Sequence, residues 1–286
     1  MIDVAIVSYG SKNVIETNLE FFRFSKMISS VYILENSKSN ASDWESFGVA
    51  SLNIHVTISD ENLGYGAGVR KLIEQTTSSH CLVLNPDCRP IEGALEILLA
   101  HQIGCDCVIV SGTLMNDLAE FDSSTPYVNL LTSQPTQVAA EKKVGSSFRF
   151  SIFPGAFFLV DIERFKNSYG YSKMFLYFDE MDTVCHLGRS NHIFHVLDNQ
   201  VGIHSRASTT GDSFNSKTSF TAYWSTRNAM VVWKTFFPWY LPTVLISRLI
   251  NALRYFCIGN FRAGNATLRG ICMGLCSAFN RSRSIE

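Results

Sequence analysis

Three acids, Asp179, Glu180 and Asp182, fall within four consecutive positions directly behind the aromatic run Phe175-Leu176-Tyr177-Phe178. Buried together they would repel one another, so their placement asks for a polar cleft facing a cation or a hydroxyl. One carboxylate there can act as general base while a neighbour orients a ligand or balances a cation. An acidic helix start stabilised by the helix dipole also accounts for Asp179, though not for the aromatics leading into the acids. A second cluster is "LVLNPDC" (82–88), where an apolar strand pattern breaks at Asn85-Pro86-Asp87. Oxygen-bearing side chains at a strand end suit Mg2+ or Mn2+ bridging a diphosphate; a turn whose Asp caps the next helix fits equally well. In "ENLGYGAG" (61–68), Gly64, Gly66 and Gly68 alternate between a strand pattern and a helix pattern. Backbone amides there can approach a phosphate or a sugar, and a tight turn explains the glycines nearly as well. The spacing is neither G-x-G-x-x-G nor a P-loop. His204 follows a strand pattern at 193–203; a lone histidine is more often packed than ligating.

These residues sit at the ends of a regular alternation. "VAIVSY" (4–9), "VYILENS" (31–37), "NIHVTIS" (53–59), "HCLVLNPD" (80–87) and "CVIVSG" (107–112) read as strands. Helix patterns lie between them around 13–24, 69–76 and 92–102. Strands alternating with helices predict an α/β fold, a mostly parallel central sheet with helices on both faces. Acids and amides gather at the C-terminal strand ends, where open α/β sheets bind ligands. Residues 116–147, rich in Ser, Thr, Asn and Gln, read as a variable surface segment. Order returns with "FSIFPGAFFLVDIERF" (150–165), a strand, turn, strand and helix start.

At 286 residues the chain is long enough for one large α/β domain with an appendage, and 46% hydrophobic against 17% charged residues excludes extensive disorder. A net charge of −1 gives no field for a nucleic acid partner. The 8 cysteines include no CxxC pair: Cys105 and Cys107 stand in CDC, Cys272 and Cys276 in CMGLC. That spacing argues against zinc and for reduced, cytoplasmic thiols. "MIDVAIVSYG" lacks a signal peptide's basic region and apolar length. The tail, 229–286, opens with an almost wholly apolar stretch (229–259) broken by Lys234, Pro238, Pro242, Arg248 and Arg254. No window reaches the roughly 20 apolar residues of a spanning helix. Arg248 and Arg254 with Trp233, Trp239 and Tyr240 suggest amphipathic helices lying on a bilayer; a core-packing or dimer helix pair is the alternative.

In this order, "VAIVSYG", "VYILENS", "ENLGYGAG", "LVLNPDC", "PGAFFLVDIERF", "FLYFDEMD" and "VGIHSRAS" resemble family 2 glycosyltransferases of the GT-A fold. The nearest likeness is to the bacterial rhamnosyltransferase-like group that builds O-antigen and related polysaccharides of the lipopolysaccharide kind. It covers roughly 1–115 and 148–228, and "ATLRGICMGL" (266–275) resembles that group's helical tail.

The resemblance implies a GT-A domain with a nucleotide-sugar-binding half (1–115), a catalytic and acceptor half (148–228) and a C-terminal helical appendage. It implies an inverting, metal-dependent hexosyltransferase acting at the inner face of the cytoplasmic membrane. The donor would be dTDP-rhamnose and the acceptor a polyprenyl-diphosphate-linked oligosaccharide. The same scaffold could move galactofuranose, galactose or glucose from UDP donors, or serve as a non-catalytic sugar-nucleotide-binding scaffold. By position, Ser8 and Tyr9 meet the nucleotide, Glu35 and Asn36 hold base or ribose, and Asn62, Gly64 and Gly66 lie beside the donor. Asn85 and Asp87 occupy the DxD-type site, Asp87 and His204 reach the Mg2+ or Mn2+, and Arg227 lies near the diphosphate or acceptor. The family's Glu-Asp-x-Asp stretch is here Asp179-Glu180-Met181-Asp182. Glu180 inherits the role of base, with Asp179 and Asp182 as alternatives.

Overall fold

The computed structural model describes the chain except residues 24, 40, 50, 106, 124–125, 137–147, 169, 190–192, 206–217 and 278–286. The first half winds β1 (Ile2–Ser8), α1 (Lys12–Leu19), β2 (Ile28–Glu35), β3 (Ile54–Ile58), α2 (Gly64–Gln75), β4 (His80–Leu84), β5 (Cys88–Pro90), α3 (Ala94–Gly104) and β6 (Cys107–Met115). Short strands β7 (Phe121–Ser123), β8 (Tyr127–Asn129), β9 (Pro135–Thr136) and β10 (Arg149–Ser151) follow. Then come β11 (Phe157–Asp161), α4 (Ile162–Lys166), α5 (Asp179–Arg189) and β12 (Ile193–His204). The chain ends in α6 (Ser219–Phe236), α7 (Leu241–Cys257) and α8 (Phe261–Cys276).

The main sheet runs β3-β2-β1-β4-β11-β6-β12-β5, with β7 added to β6. Strands β1 to β4 pair in parallel, as do β6 and β12; β11 lies antiparallel between β4 and β6. The result is a mixed α/β fold with a largely parallel sheet and a helical C-terminal extension. All seven residues of β1 are buried, as expected for a strand covered on both faces. Its side chains alternate: Ala5 and Val7 join one core, Ile2, Val4 and Ile6 the other.

Within 116–147, β8 pairs with β9 on one side and with β10 on the other in a separate three-stranded sheet; positions 124–125 and 137–147 lie outside the described residues. Helix α2 starts at Gly64, earlier than the pattern from 69 implies, so the glycine stretch forms its first turns. A Cβ on Gly64, whose φ is +76°, would sit 2.7 Å from Phe175 C, and one on Gly66 would sit 2.6 Å from the carbonyl oxygens of Ser172 and Met174. The glycines let α2 press against the backbone leading to the acids, a role distinct from approach to a phosphate.

Two expectations about the tail and the thiols are corrected. Trp233 and Arg248 face inward: Trp233 Nε1 donates to Leu130 O at 2.7 Å, and Arg248 is 4% exposed. The buried stripe of α7, Val244, Arg248, Ala252 and Tyr255, recurs at helical spacing and carries the arginine with it. Trp239 is 91% exposed, and Ile246, Ile250 and Leu253 form an outer apolar face. Cys105 and Cys107 are joined in a disulfide: α3 ends at Gly104 and extended Cys105 turns the chain so that the two Cα atoms stand 5.4 Å apart. Among the described residues, no helix is long and apolar enough to cross a membrane.

Candidate functional site

A cleft of ≈ 690 Å³ opens at the C-terminal edge of the sheet, between the turn after β4 and the start of α5. On one wall, β4 ends and the chain turns through Asn85, Pro86 and Asp87 into β5; Asn18 on α1 holds the turn by donating to Pro86 O at 2.7 Å. No helix follows Asp87 directly, so the helix-capping reading of this residue falls. Strand β12 pairs antiparallel with β5, setting His204 opposite Cys88. His204 Nε2 lies 3.4 Å from Asp87 Oδ1, and its Nδ1 lies 2.9 Å from Asp122 Oδ2. Burial alone would lower the His204 pKa; hydrogen bonds to Asp122 and Asp87 and their charges outweigh it and raise the value to about 9. Asp122 thus orients the ring so that Nε2 faces Asp87, the arrangement by which a carboxylate steers a metal-binding histidine. Asp87, Cys88 and His204 offer ligand atoms within 4.8 Å of one another. Burial pushes the Cys88 thiol pKa up, keeping it protonated, so Asp87 and His204 are the better ligands for a hard divalent cation.

The opposite wall carries the acids. Asp179 and Glu180 line the cleft at the start of α5. Burial raises Asp179 to about 6, opposed by a hydrogen bond from Tyr171 Oη at 2.9 Å. Burial and then the charge of Asp179 push Glu180 well above the ordinary carboxylate range. The backbone entering the helix is left-handed at two non-glycine residues, Tyr177 (φ 64°) and Phe178 (φ 62°). Such backbone costs on the order of 1–3 kcal/mol per residue. Asn228 on α6 stabilises it, its Nδ2 donating to Leu176 O at 2.6 Å and Tyr177 O at 3.2 Å. Asp182 does not reach the cleft: it is buried beside Ser172, with His186 Nε2 3.7 Å away, and its pKa rises to about 6 by burial.

The remaining expected residues divide. Tyr9, 63% exposed, and Asn85 line the cleft. Ser8 and Glu35 do not: Ser8 Oγ donates to Glu35 Oε2 at 2.7 Å, and Glu35 Oε1 accepts from the amides of Gly10 and Ser37. This carboxylate closes the ends of β1 and β2. Asn36 ties that end to α2, accepting from Leu63 N and donating to Gly64 O, while exposed Asn62 caps the Gly64 amide. Arg227 lies off the cleft, its Nη1 donating to Asn228 Oδ1 at 2.7 Å and its guanidinium over Trp224. Sequence reasoning passed over Asp122 and set Arg248 on a bilayer-facing helix, yet both line the cleft. Arg248 Nη2 donates to Ser133 Oγ at 2.6 Å, and its guanidinium sits 6.0 Å from the Phe178 ring.

No protein-family model matches the chain, and no curated protein matches it in sequence. Solved structures do match in shape. GalNAc-T7 with UDP, GalNAc and Mn2+ superposes with a TM-score of 0.60 at 8% identity, over 84% of this chain and 49% of that one. The mannosyltransferase PcManGT from Pyrobaculum calidifontis, in complex with GDP-Man and Mn2+, gives 0.51 at 11% identity, over 96% and 80%. S. aureus TarS in complex with UDP-GlcNAc gives 0.50 at 14% identity, over 90% and 72%. The chain shares the fold of these proteins.

Proposed function

We propose that this chain is an inverting, metal-dependent glycosyltransferase of the GT-A fold, with 1–115 as its nucleotide-sugar half and 148–228 as its catalytic half. One observation carries the reading: an Asp–His pair and a carboxylate pair face each other across one cleft at the C-terminal edge of the sheet. The first pair suits a Mg2+ or Mn2+ ion, which when bound would offset the charge of a donor diphosphate.

Glu180 then acts as base. It accepts the proton of the acceptor hydroxyl as that oxygen bonds to the anomeric carbon, from the face opposite the diphosphate. The bond from that carbon to the diphosphate oxygen breaks, and configuration inverts. Burial and the neighbouring Asp179 charge raise the Glu180 pKa, so its carboxylate is a stronger proton acceptor than an ordinary one. Asp179, fixed by Tyr171, sets the charge beside it. Positive charge from Arg248 faces the same space, where a diphosphate or an anionic acceptor would be stabilised.

Among donors, a UDP-sugar is the better-supported choice over dTDP-rhamnose, because structures of this fold carry UDP and GDP donors. We assign the acceptor as a polyprenyl-diphosphate-linked oligosaccharide and the working place as the cytoplasmic membrane surface, with the outer face of α7 as the contact. Calorimetric titration with UDP-galactose, UDP-galactofuranose, UDP-glucose and dTDP-rhamnose, each with and without Mn2+, tests the donor site. Metal-dependent binding of one UDP-sugar supports the reading; binding of dTDP-rhamnose alone restores the rhamnosyl assignment. A folded protein that binds none of them overturns it. The exchange of the first two acids relative to the family pattern favours a second reading, a sugar-nucleotide-binding scaffold, which predicts donor binding without any transfer.

A further inference from the structure

Away from the cleft, at the opposite end of the same strands, four soft-metal ligands meet. His101 lies in the last turn of α3, Cys105 follows as its C-cap, Cys107 opens β6, and His195 stands near the start of β12. Their ligand atoms all lie within 4.8 Å of one another. His101 Nε2 and His195 Nδ1 face each other at 2.9 Å. Strand β6 separates this cluster from the cleft by eight residue steps, about 26 Å.

We propose that His101, Cys105, Cys107 and His195 form a zinc site, filled when the Cys105–Cys107 disulfide is reduced. Two thiolates and two imidazoles are the ligand set that a closed tetrahedral Zn2+ site uses, and they exclude Mg2+, which wants oxygen. The sulfurs are bonded to each other here, so filling requires two electrons and two protons. A dithiol reductant supplies them and leaves as its own disulfide. Both cysteines are then thiols, and on binding the cation each releases one proton. The two imidazoles bind as neutral rings through the nitrogens that now share a proton.

Position supports a structural role. Three separate elements contribute, α3, β6 and β12, and His101 and His195 are 94 residues apart in the chain. A closed four-ligand site would clip the C-terminal end of α3 to two neighbouring parallel strands. It leaves no open coordination position, so it predicts no chemistry of its own. The sequence argued against zinc because it holds no CxxC pair; His101 stands four residues before Cys105, and the fold brings in the fourth ligand, His195, from far along the chain.

The test uses the full chain with the exposed thiols Cys257, Cys272 and Cys276 changed to Ser, since they could bind metal on their own. After anaerobic reduction by a phosphine, the chain is titrated with Co2+ and then Zn2+. The expected result is one equivalent of Co2+ with a tetrahedral thiolate spectrum, apart from any Co2+ held by Asp87 and His204, displaced by one Zn2+. Cys105→Ser and His195→Ala should each weaken binding about tenfold or more, while Asp87→Asn leaves it unchanged. If Cys105→Ser fails to fold, His101→Asn carries the same comparison. A reduced, folded chain without the cobalt spectrum overturns the proposal. So does a Co2+ affinity left unchanged by His195→Ala, or a disulfide that resists reduction in the folded protein.

Discussion

Gly155 makes room for Glu180: a Cβ at 155 would stand 2.7 Å from both Cγ and Cδ of that glutamate. The longer acid at the base position is therefore matched by a missing side chain opposite it. Gly155→Ala should displace the carboxylate and lower kcat by about 100-fold, with donor affinity nearly unchanged. Glu180→Gln should cost at least as much. Turnover and donor titration on the two variants check both, and unchanged turnover in Glu180→Gln would remove Glu180 as base.

Asp122 acts through His204. Asp122→Asn keeps the shape but removes the charge that holds the ring. Donor binding in the presence of Mn2+ should weaken about 10- to 100-fold, while metal-free stability changes less. Calorimetry with and without Mn2+ separates the two.

Asp182 gives a pH signature. Burial raises its pKa from 3.8 to about 6. The unfolded chain releases that proton near pH 4, so its contribution is full below about pH 4 and is lost as pH rises through about 6. The change is on the order of 3 kcal/mol per such group. Asp179 has the same sign, and so has His204 at higher pH. Urea unfolding of Asp182→Asn across this range should show a shallower fall of stability with pH than the parent; an identical slope would refute the assignment.

Arg248 meets Ser133 with Nε at 2.9 Å and with Nη2 on both the hydroxyl and the carbonyl. A lysine cannot reproduce that fork. Arg248→Lys should destabilise the fold by about 1–3 kcal/mol, measured by thermal or urea unfolding.

Ile246, Ile250 and Leu253 project from α7 without entering the core. Changing all three to Ser should release the protein from anionic liposomes while leaving donor binding intact. Co-sedimentation checks it, and equal sedimentation of parent and variant would detach the tail from any membrane role.

Much of this was legible in sequence. The wholly apolar run of β1 and the polar break after β4 announce a buried parallel sheet and its ligand-binding edge, because strand burial and strand ends both leave local marks. Asp122 left no such mark: it sits on a three-residue strand inside a polar segment, and only pairing with β6 carries it to His204. Arg248 was misread because charge suggests exposure, although its spacing with Val244 and Tyr255 put it on the buried stripe. Asp182 follows Glu180 so closely that it reads as part of one cluster, yet the helical turn directs it to His186. The glycines of α2 were visible as a backbone requirement, but their neighbour is the backbone of 172–175, which no local pattern names.

The left-handed pair at Tyr177 and Phe178 has a mechanical meaning. Their carbonyl neighbourhood is gripped by Asn228, some fifty residues further along the chain, from α6, the helix that leads into the tail. Helix α6 is thus the foundation on which the acids rest. Asn228 is fully buried, so the seating of α6 and the alignment of Asp179 and Glu180 are joined through two hydrogen bonds and a backbone already bent against its preference, and are one adjustment.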